Sequence, residues 1–292
     1  MRKTVTLATA VVAASVALVA VPVKAYAATD RNRVESAYNN TPSKTATADC
    51  DPGDVLIGAG ARIINGGGAV VLAAMVPGAT SVTARGESST GNQNPWSVVA
   101  VAVCRPASGG TPQIATSGGG STATCQNGTY LSGTGFELPD GSALTGLTPE
   151  NGRTVTVRTA FIRVGGPGPV AYAVCVPEAG IPFYSNRWSA QSGFSQTSPR
   201  LVTARETDQY PHAVMSGVGG SIAFFGTLPI VHTGVFIDGL VPSEDLSSGT
   251  VEAVAVDGGT SAARTAGGAQ LASAPDPDSW AVTAYVQAAD YY

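Results

Sequence analysis

The sequence predicts an all-β protein of three four-stranded sheets around a pseudo-threefold axis, and two observations carry that reading. One pattern of blocks recurs three times along the chain, and such self-similarity marks an architecture assembled from repeated supersecondary units. Within each copy the blocks are short, rich in Val, Thr and aromatic residues, and separated by clusters such as Asn65-Gly66-Gly67-Gly68 and Pro139-Asp140-Gly141. They read as strands, because β-branched side chains suit a pleated surface while Gly, Pro, Asn and Asp supply turn geometry. With 36 Gly and 19 Pro, the chain leaves little room for long helices.

An export signal, residues 1–27, opens the chain. Arg2 and Lys3 form a basic start, Thr4 to Val23 an apolar Ala/Val-rich run, and Ala25-Tyr26-Ala27 a small-x-small cleavage site. Pro22, Lys24 and the cleavage site argue against a membrane anchor, and no later segment has the roughly 18 uninterrupted apolar residues of a span. The mature protein is therefore expected outside the cell, cut near Ala27 and without a membrane span. Cleavage removes Arg2, Lys3 and Lys24 from 16 basic residues, leaving 13 against 20 Asp and Glu, a net charge near −7. That balance argues against a nucleic-acid or anionic-lipid partner, since clustered Lys and Arg recruit both.

The four expected strands follow in the same order in each copy. The first runs through Leu56-Ile57-Gly58-Ala59-Gly60, Leu131-Ser132-Gly133-Thr134-Gly135 and Met215-Ser216-Gly217-Val218-Gly219. The second ends at Pro77, Pro149 and Pro242, and the third contains Ser81 to Arg85, Thr154 to Arg158 and Thr250 to Val254. The fourth reaches Cys104, Cys175 and Ala288. These blocks place repeat 1 at 47–106, repeat 2 at 122–177 and a cysteine-free repeat 3 at 207–292. Around them lie an N-terminal linker at 28–46, a second linker at 107–121 and an aromatic connector at 178–206.

In the last strand of repeat 3, Trp280, Val282, Ala284, Val286 and Ala288 form the more apolar face under a period of two. The same face in repeat 1 is Trp96, Val98, Ala100, Ala102 and Cys104, so both tryptophans are expected in or at the rim of the core. Four cysteines in an exported chain are expected to pair. Cys50 opens and Cys104 closes the first copy, while Cys125 opens and Cys175 closes the second, so pairing within copies is the economical arrangement. In repeat 3, Gln209 and Ala288 stand where the cysteines would be.

Three separate small sandwiches would each have a thin core. Closure of the units on one another buries one face of each sheet and shelters its edges, which favours a β-prism of one domain over three sandwiches. A β-trefoil also has threefold symmetry, but with shorter repeats. Cys125-Gln126-Asn127-Gly128, Gly133, Phe136, Leu138 and Ala143-Leu144-Thr145-Gly146-Leu147 resemble the repeat of the vitelline membrane outer layer protein I family. That resemblance implies a β-prism of three Greek-key sheets. The pattern Cys-x-x-Gly followed by Trp-x-Val-x-Ala-x-Ala-Val-Cys is more closely similar to modules of exported actinobacterial proteins, which implies extracellular placement and no particular activity.

No catalytic signature emerges. His212 and His232 lie in no metal-binding pair and no Gly-x-Ser-x-Gly occurs, although a Ser-His-Asp triad assembled from distant positions needs no local motif. Asp49, Asp51 and Asp54, like Asp276 and Asp278, cluster with Pro and Gly as turn residues rather than as a metal or glycosidase site. No metal or cofactor is implied. The connector concentrates Phe183, Tyr184, Asn186, Arg187 and Trp188, a set of aromatic faces and polar donors suited to sugar stacking or a protein contact, or to capping the open end of the prism. The expected function is thus a secreted, non-catalytic binding or structural role with a glycan or cell-envelope polymer as partner. An extracellular hydrolase or a proteinase inhibitor is the alternative.

Overall fold

The computed structural model describes residues 29–88, 92–160, 166–177, 186–205, 213–224, 234–256 and 279–290. Apart from a short 3-10 turn at Ala107–Gly109, its regular elements are strands, all paired antiparallel. With each repeat extended to take in the stretch that precedes it, repeat 1 gives β1 (Asp30–Glu35), β2 (Ser43–Asp49), β3 (Asp54–Ile64), β4 (Val70–Pro77), β5 (Ser81–Ser88) and β6 (Ser97–Pro106). Repeat 2 gives β7 (Gln113–Thr116), β8 (Thr122–Thr124), β9 (Thr129–Glu137), β10 (Ala143–Glu150), β11 (Thr154–Ala160) and β12 (Val170–Pro177). Repeat 3 gives β13 (Asn186–Gln191), β14 (Arg200–Arg205), β15 (Ala213–Phe224), β16 (Val235–Pro242), β17 (Ser248–Ala255) and β18 (Trp280–Asp290).

The fold is all-β and threefold, but its three sheets have six strands, not the four expected. The additional strands fall largely in stretches read as linkers: β1 and most of β2, then β7, then β13 and β14 of the connector. They escaped the pattern because they are short or polar sheet-edge strands. β1 is Asp-Arg-Asn-Arg-Val-Glu and largely exposed, and β2 buries only Lys44, Ala46 and Ala48 in alternation.

Each sheet is shared between two repeats. The first sheet runs β1-β6-β3-β16-β17-β14, half from repeat 1 and half from repeat 3. The second runs β2-β5-β4-β9-β12-β7 from repeats 1 and 2, and the third runs β13-β18-β15-β10-β11-β8 from repeats 3 and 2. The halves meet at three equivalent joints of two residue pairs each. These are Arg62 with Gly239 and Ala61 with Leu240, then Glu137 with Ala74 and Phe136 with Met75, then Ser221 with Gly146 and Gly220 with Leu147. Bulges beside the joints recur in register at Ala73, Thr145 and Asp238, which bend each sheet around the core.

Close backbone contacts trace the pseudo-threefold axis. A Cβ on Gly58 would lie 1.4 Å from the Ser216 carbonyl oxygen, one on Gly133 2.8 Å from that of Ile57, and one on Gly217 2.6 Å from that of Ser132. Each repeat thus presses on the preceding one in a closed cycle, and only glycine fits between. Ser132 Oγ donates to the Ile57 carbonyl at 2.7 Å and Thr134 Oγ1 to that of Val218 at 2.8 Å, satisfying polar groups at this buried centre. Apolar faces of all three sheets fill the rest, including Leu56, Phe136, Leu147, Met215 and Ile237.

Cys50 bonds Cys104 and Cys125 bonds Cys175, the within-copy pairing expected. Because Cys50 follows β2 of the second sheet and Cys104 lies in β6 of the first, the bond ties two sheets together; the Cys125 bond does the same between third and second. Ala288, opposite Met215 as Cys104 is opposite Leu56, fills the corresponding place in repeat 3. Trp96 and Trp280 are buried in the core. Over each lies a buried cation at the same register position, Lys44 on Trp96 and Arg200 on Trp280. Among the described residues no helix is long and apolar enough to cross a membrane.

Candidate binding groove

The outer face of each sheet carries one equivalent position at its joint, where a side chain from one repeat faces a side chain from the next across a small residue. In the second sheet these are Arg85 of β5 and Glu137 of β9, separated by Ala74 of β4. Alternation fixes their direction: along β5, Val82 and Ala84 are buried while Thr83, Arg85 and Glu87 point outward. Arg85 Nη1 lies 3.0 Å from Glu87 Oε1, and its Nη2 3.7 Å from Glu137 Oε1. Tyr172 of β12 donates its hydroxyl to Glu137 Oε2 at 3.3 Å. Burial, reinforced by the charge of Glu137, pushes the Tyr172 hydroxyl up and keeps it a donor.

Beside this network lies a cavity of about 570 Å³, whose walls include Arg85, Glu137, Leu138, Asp140, Pro167 and Val170. A tight turn borders it. Ser142 N donates to the Pro139 carbonyl at 3.1 Å and Gly141 takes φ +74, which carries β9 into β10. The wall thus combines apolar proline, leucine and valine surface with a guanidinium and carboxylates, and the Tyr172 phenol stands behind it on Glu137. Apolar surface and hydrogen-bonding groups therefore share one wall.

The other two joints carry different residues at the same place. In the third sheet they are Arg158 and Ser221, and Ser221 Oγ lies 3.2 Å from the Tyr285 hydroxyl. Arg187 lies over that ring, 5.3 Å from its centre, and donates to the Pro149 carbonyl at 2.6 Å. It thus links β13 and β18 to the end of β10 on the outer face of this sheet. In the first sheet the polarity is reversed, with Glu252 on β17 and Arg62 on β3 paired at 2.8 Å.

Of the connector residues singled out from sequence, Phe183 and Tyr184 lie outside the described residues. Asn186, Arg187 and Trp188 belong to β13, in register with Ala288, Gln287 and Val286 of β18. Arg187 points outward onto Tyr285, whereas Trp188 packs against the core, so these two face opposite sides of the sheet. His212, His232, Asp276 and Asp278 also lie outside the described residues. Asp51 accepts from Asn32 Nδ2 at 3.4 Å and closes the turn before β3 through Asp54 N at 2.9 Å. Among the described residues no group of three His, Cys, Asp or Glu is placed to hold a metal ion. Arg85, Glu137 and Tyr172 gave no motif; the available signal was the outward alternation of Thr83, Arg85 and Glu87.

Comparison with protein-family models gives no match, and comparison with curated protein sequences gives none.

Proposed function

We propose that the mature protein is an exported, non-catalytic binding module whose ligand is a glycan or cell-envelope polymer seated in the groove of the second sheet. One observation carries the reading: Arg85 and Glu137 meet on the wall of a cavity that also presents Leu138, Pro167 and Val170, with the Tyr172 hydroxyl holding Glu137 from behind. A sugar ring offers apolar C–H faces to Leu138, Pro167 and Val170, and hydroxyls that accept from a guanidinium and donate to a carboxylate. The two disulfides and the export signal read from the sequence support an extracellular setting.

The test is retention of the mature chain on insoluble polysaccharides and envelope preparations. Glu137→Ala and Tyr172→Phe are expected to weaken retention by about tenfold each, the scale of one lost polar contact of 1–1.5 kcal/mol. The fold should hold, because both side chains are partly exposed and an exposed ion pair is worth about 0–1 kcal/mol. No retention of the unaltered chain on any preparation overturns the proposal. Hydrolysis of a tested polymer that disappears in His212→Ala or His232→Ala replaces it with an enzyme.

A further inference from the structure

The joint that closes the ring differs from the other two. Repeats 1 and 3, the first and last of the chain, meet where β3 pairs with β16, through Arg62 with Gly239 and Ala61 with Leu240. Neither cysteine position has been kept in repeat 3, so the two disulfides lie within repeats 1 and 2. Next to this joint, in the bulge of β16, stands Asp238. The matching bulge residues of repeats 1 and 2 are Ala73 and Thr145, so the fold does not require an acid here.

Asp238 is 4% exposed and its Oδ1 has no hydrogen-bond partner. The charged groups that face it are Glu252 from β17 and Arg62 from β3. Arg62 is already engaged with Glu252 at 2.8 Å, across the joint. On the axis side, β16 packs Phe236 against the uncharged Ala143 of β10 and Val71 of β4. Burial, with the like charge of Glu252 added, pushes the Asp238 carboxyl up from its ordinary 3.8 to about 8, against the smaller opposing effects of Arg62 and of its own backbone N–H.

We propose that the joint between the first and last repeats is a proton-held clasp, closed with Asp238 protonated beside Glu252 and opening with release of that proton to water. When closed, the neutral carboxyl tolerates burial and Arg62 serves Glu252 alone. When the joint parts, Asp238 meets water and ionises at its ordinary value. Between pH 4 and pH 8 the closed form therefore holds one proton more than the open form, and each step up in pH favours opening. Over that window the opening constant rises about tenfold per pH unit and then levels off. The other two joints, with alanine and threonine at this place, lack the response.

Amide hydrogen exchange on the mature chain between pH 5 and pH 8, corrected for intrinsic rates, reads this directly. Protection of the amides that bond across the joint, those of either the Ala61–Leu240 or the Arg62–Gly239 pair, is expected to fall about tenfold per pH unit relative to the β4–β9 and β10–β15 joints. Asp238→Asn, and Asp238→Ala copying repeat 1, are expected to abolish that slope. A wild-type slope no different from the other joints overturns the proposal even if neither variant folds. A slope that survives either substitution overturns it as well.

Discussion

Lys44 Nζ sits 4.4 Å above the centre of the Trp96 ring and donates to the backbone carbonyls of Ala37 at 3.0 Å, Asn39 at 2.7 Å and Trp96. The only lysine expected to survive signal cleavage is thus spent on structure: it fastens the segment before β2 to the start of β6. Repeat 3 makes the same closure with Arg200, 4.5 Å from the Trp280 ring and bonded to the Gly193 carbonyl at 2.7 Å. Counting along the strands of repeat 2 puts Gly119 and Pro167 in these places, so the closure is made twice and not three times. Trp96→Ala is expected to cost about 3–5 kcal/mol through the cavity it leaves. Lys44→Met is expected to cost about 1–3 kcal/mol, because it strands buried carbonyls. Denaturant midpoints at constant m-value check both.

The disulfides are expected to hold different seams but to contribute similarly to stability. Closing loops with separations of 54 and 50 residues is worth about 4 kcal/mol each by chain entropy. Cys50→Ala with Cys104→Ala releases the second sheet from the first. Cys125→Ala with Cys175→Ala releases the third from the second. Each double variant should lower the unfolding midpoint by a similar amount, while limited proteolysis should cut different seams.

Gly58 is expected to tolerate no side chain. The Ser216 carbonyl oxygen would stand 1.4 Å from an added Cβ, and it is backbone on the axis that cannot swing aside. Gly58→Ala is expected to cost more than about 4 kcal/mol, the range reserved for overpacked or broken cores. By contrast Gly53 has open space around its Cβ position and φ +97, so Gly53→Ala costs only backbone strain of about 1–2 kcal/mol. Soluble yield and thermal midpoints of the two variants separate packing from conformation.

Acid should loosen the turn between β16 and β17 through Asp245. Its carboxylate accepts from Ser243 Oγ at 2.6 Å, Ser247 N at 3.1 Å and Ser247 Oγ at 2.8 Å, and these bonds hold it at about 2. The folded value lies below the ordinary 3.8, so the stabilisation is present above pH 4 and disappears as pH falls toward 2. Asp245→Ala is expected to flatten that part of the acid unfolding curve and leave the curve above pH 5 parallel to the parent's.

Much of the scaffold was legible because its strongest signals are hydrophobic. Leu56, Leu131 and Met215 recur at one position of the repeat, Cys104 and Ala288 share another, and both appear in the structure at matching places in the register. The outer strands were not legible. A three-residue strand such as Thr122–Thr124 buries one alanine, which periodicity cannot distinguish from a turn. Strand exchange between repeats was equally invisible, since pairing β4 with β9 or with β3 satisfies the same alternation. The groove residues were hidden for a related reason. Arg85 and Glu137 are 52 positions apart and become neighbours only because two repeats share one sheet. The connector drew attention by its aromatic content, yet Trp188 spends its ring on the core.

That sharing also bears on what a single unit is. One repeat cut from the chain would hold two three-stranded half-sheets, each with its inner edge bare. Copies of itself are the partners whose edges fit, and three of them would restore a closed ring. The single chain has the form of a fused homotrimer, in which tandem copies let each position drift alone: a groove at one joint, an arginine strap at the next, a buried acid at the third.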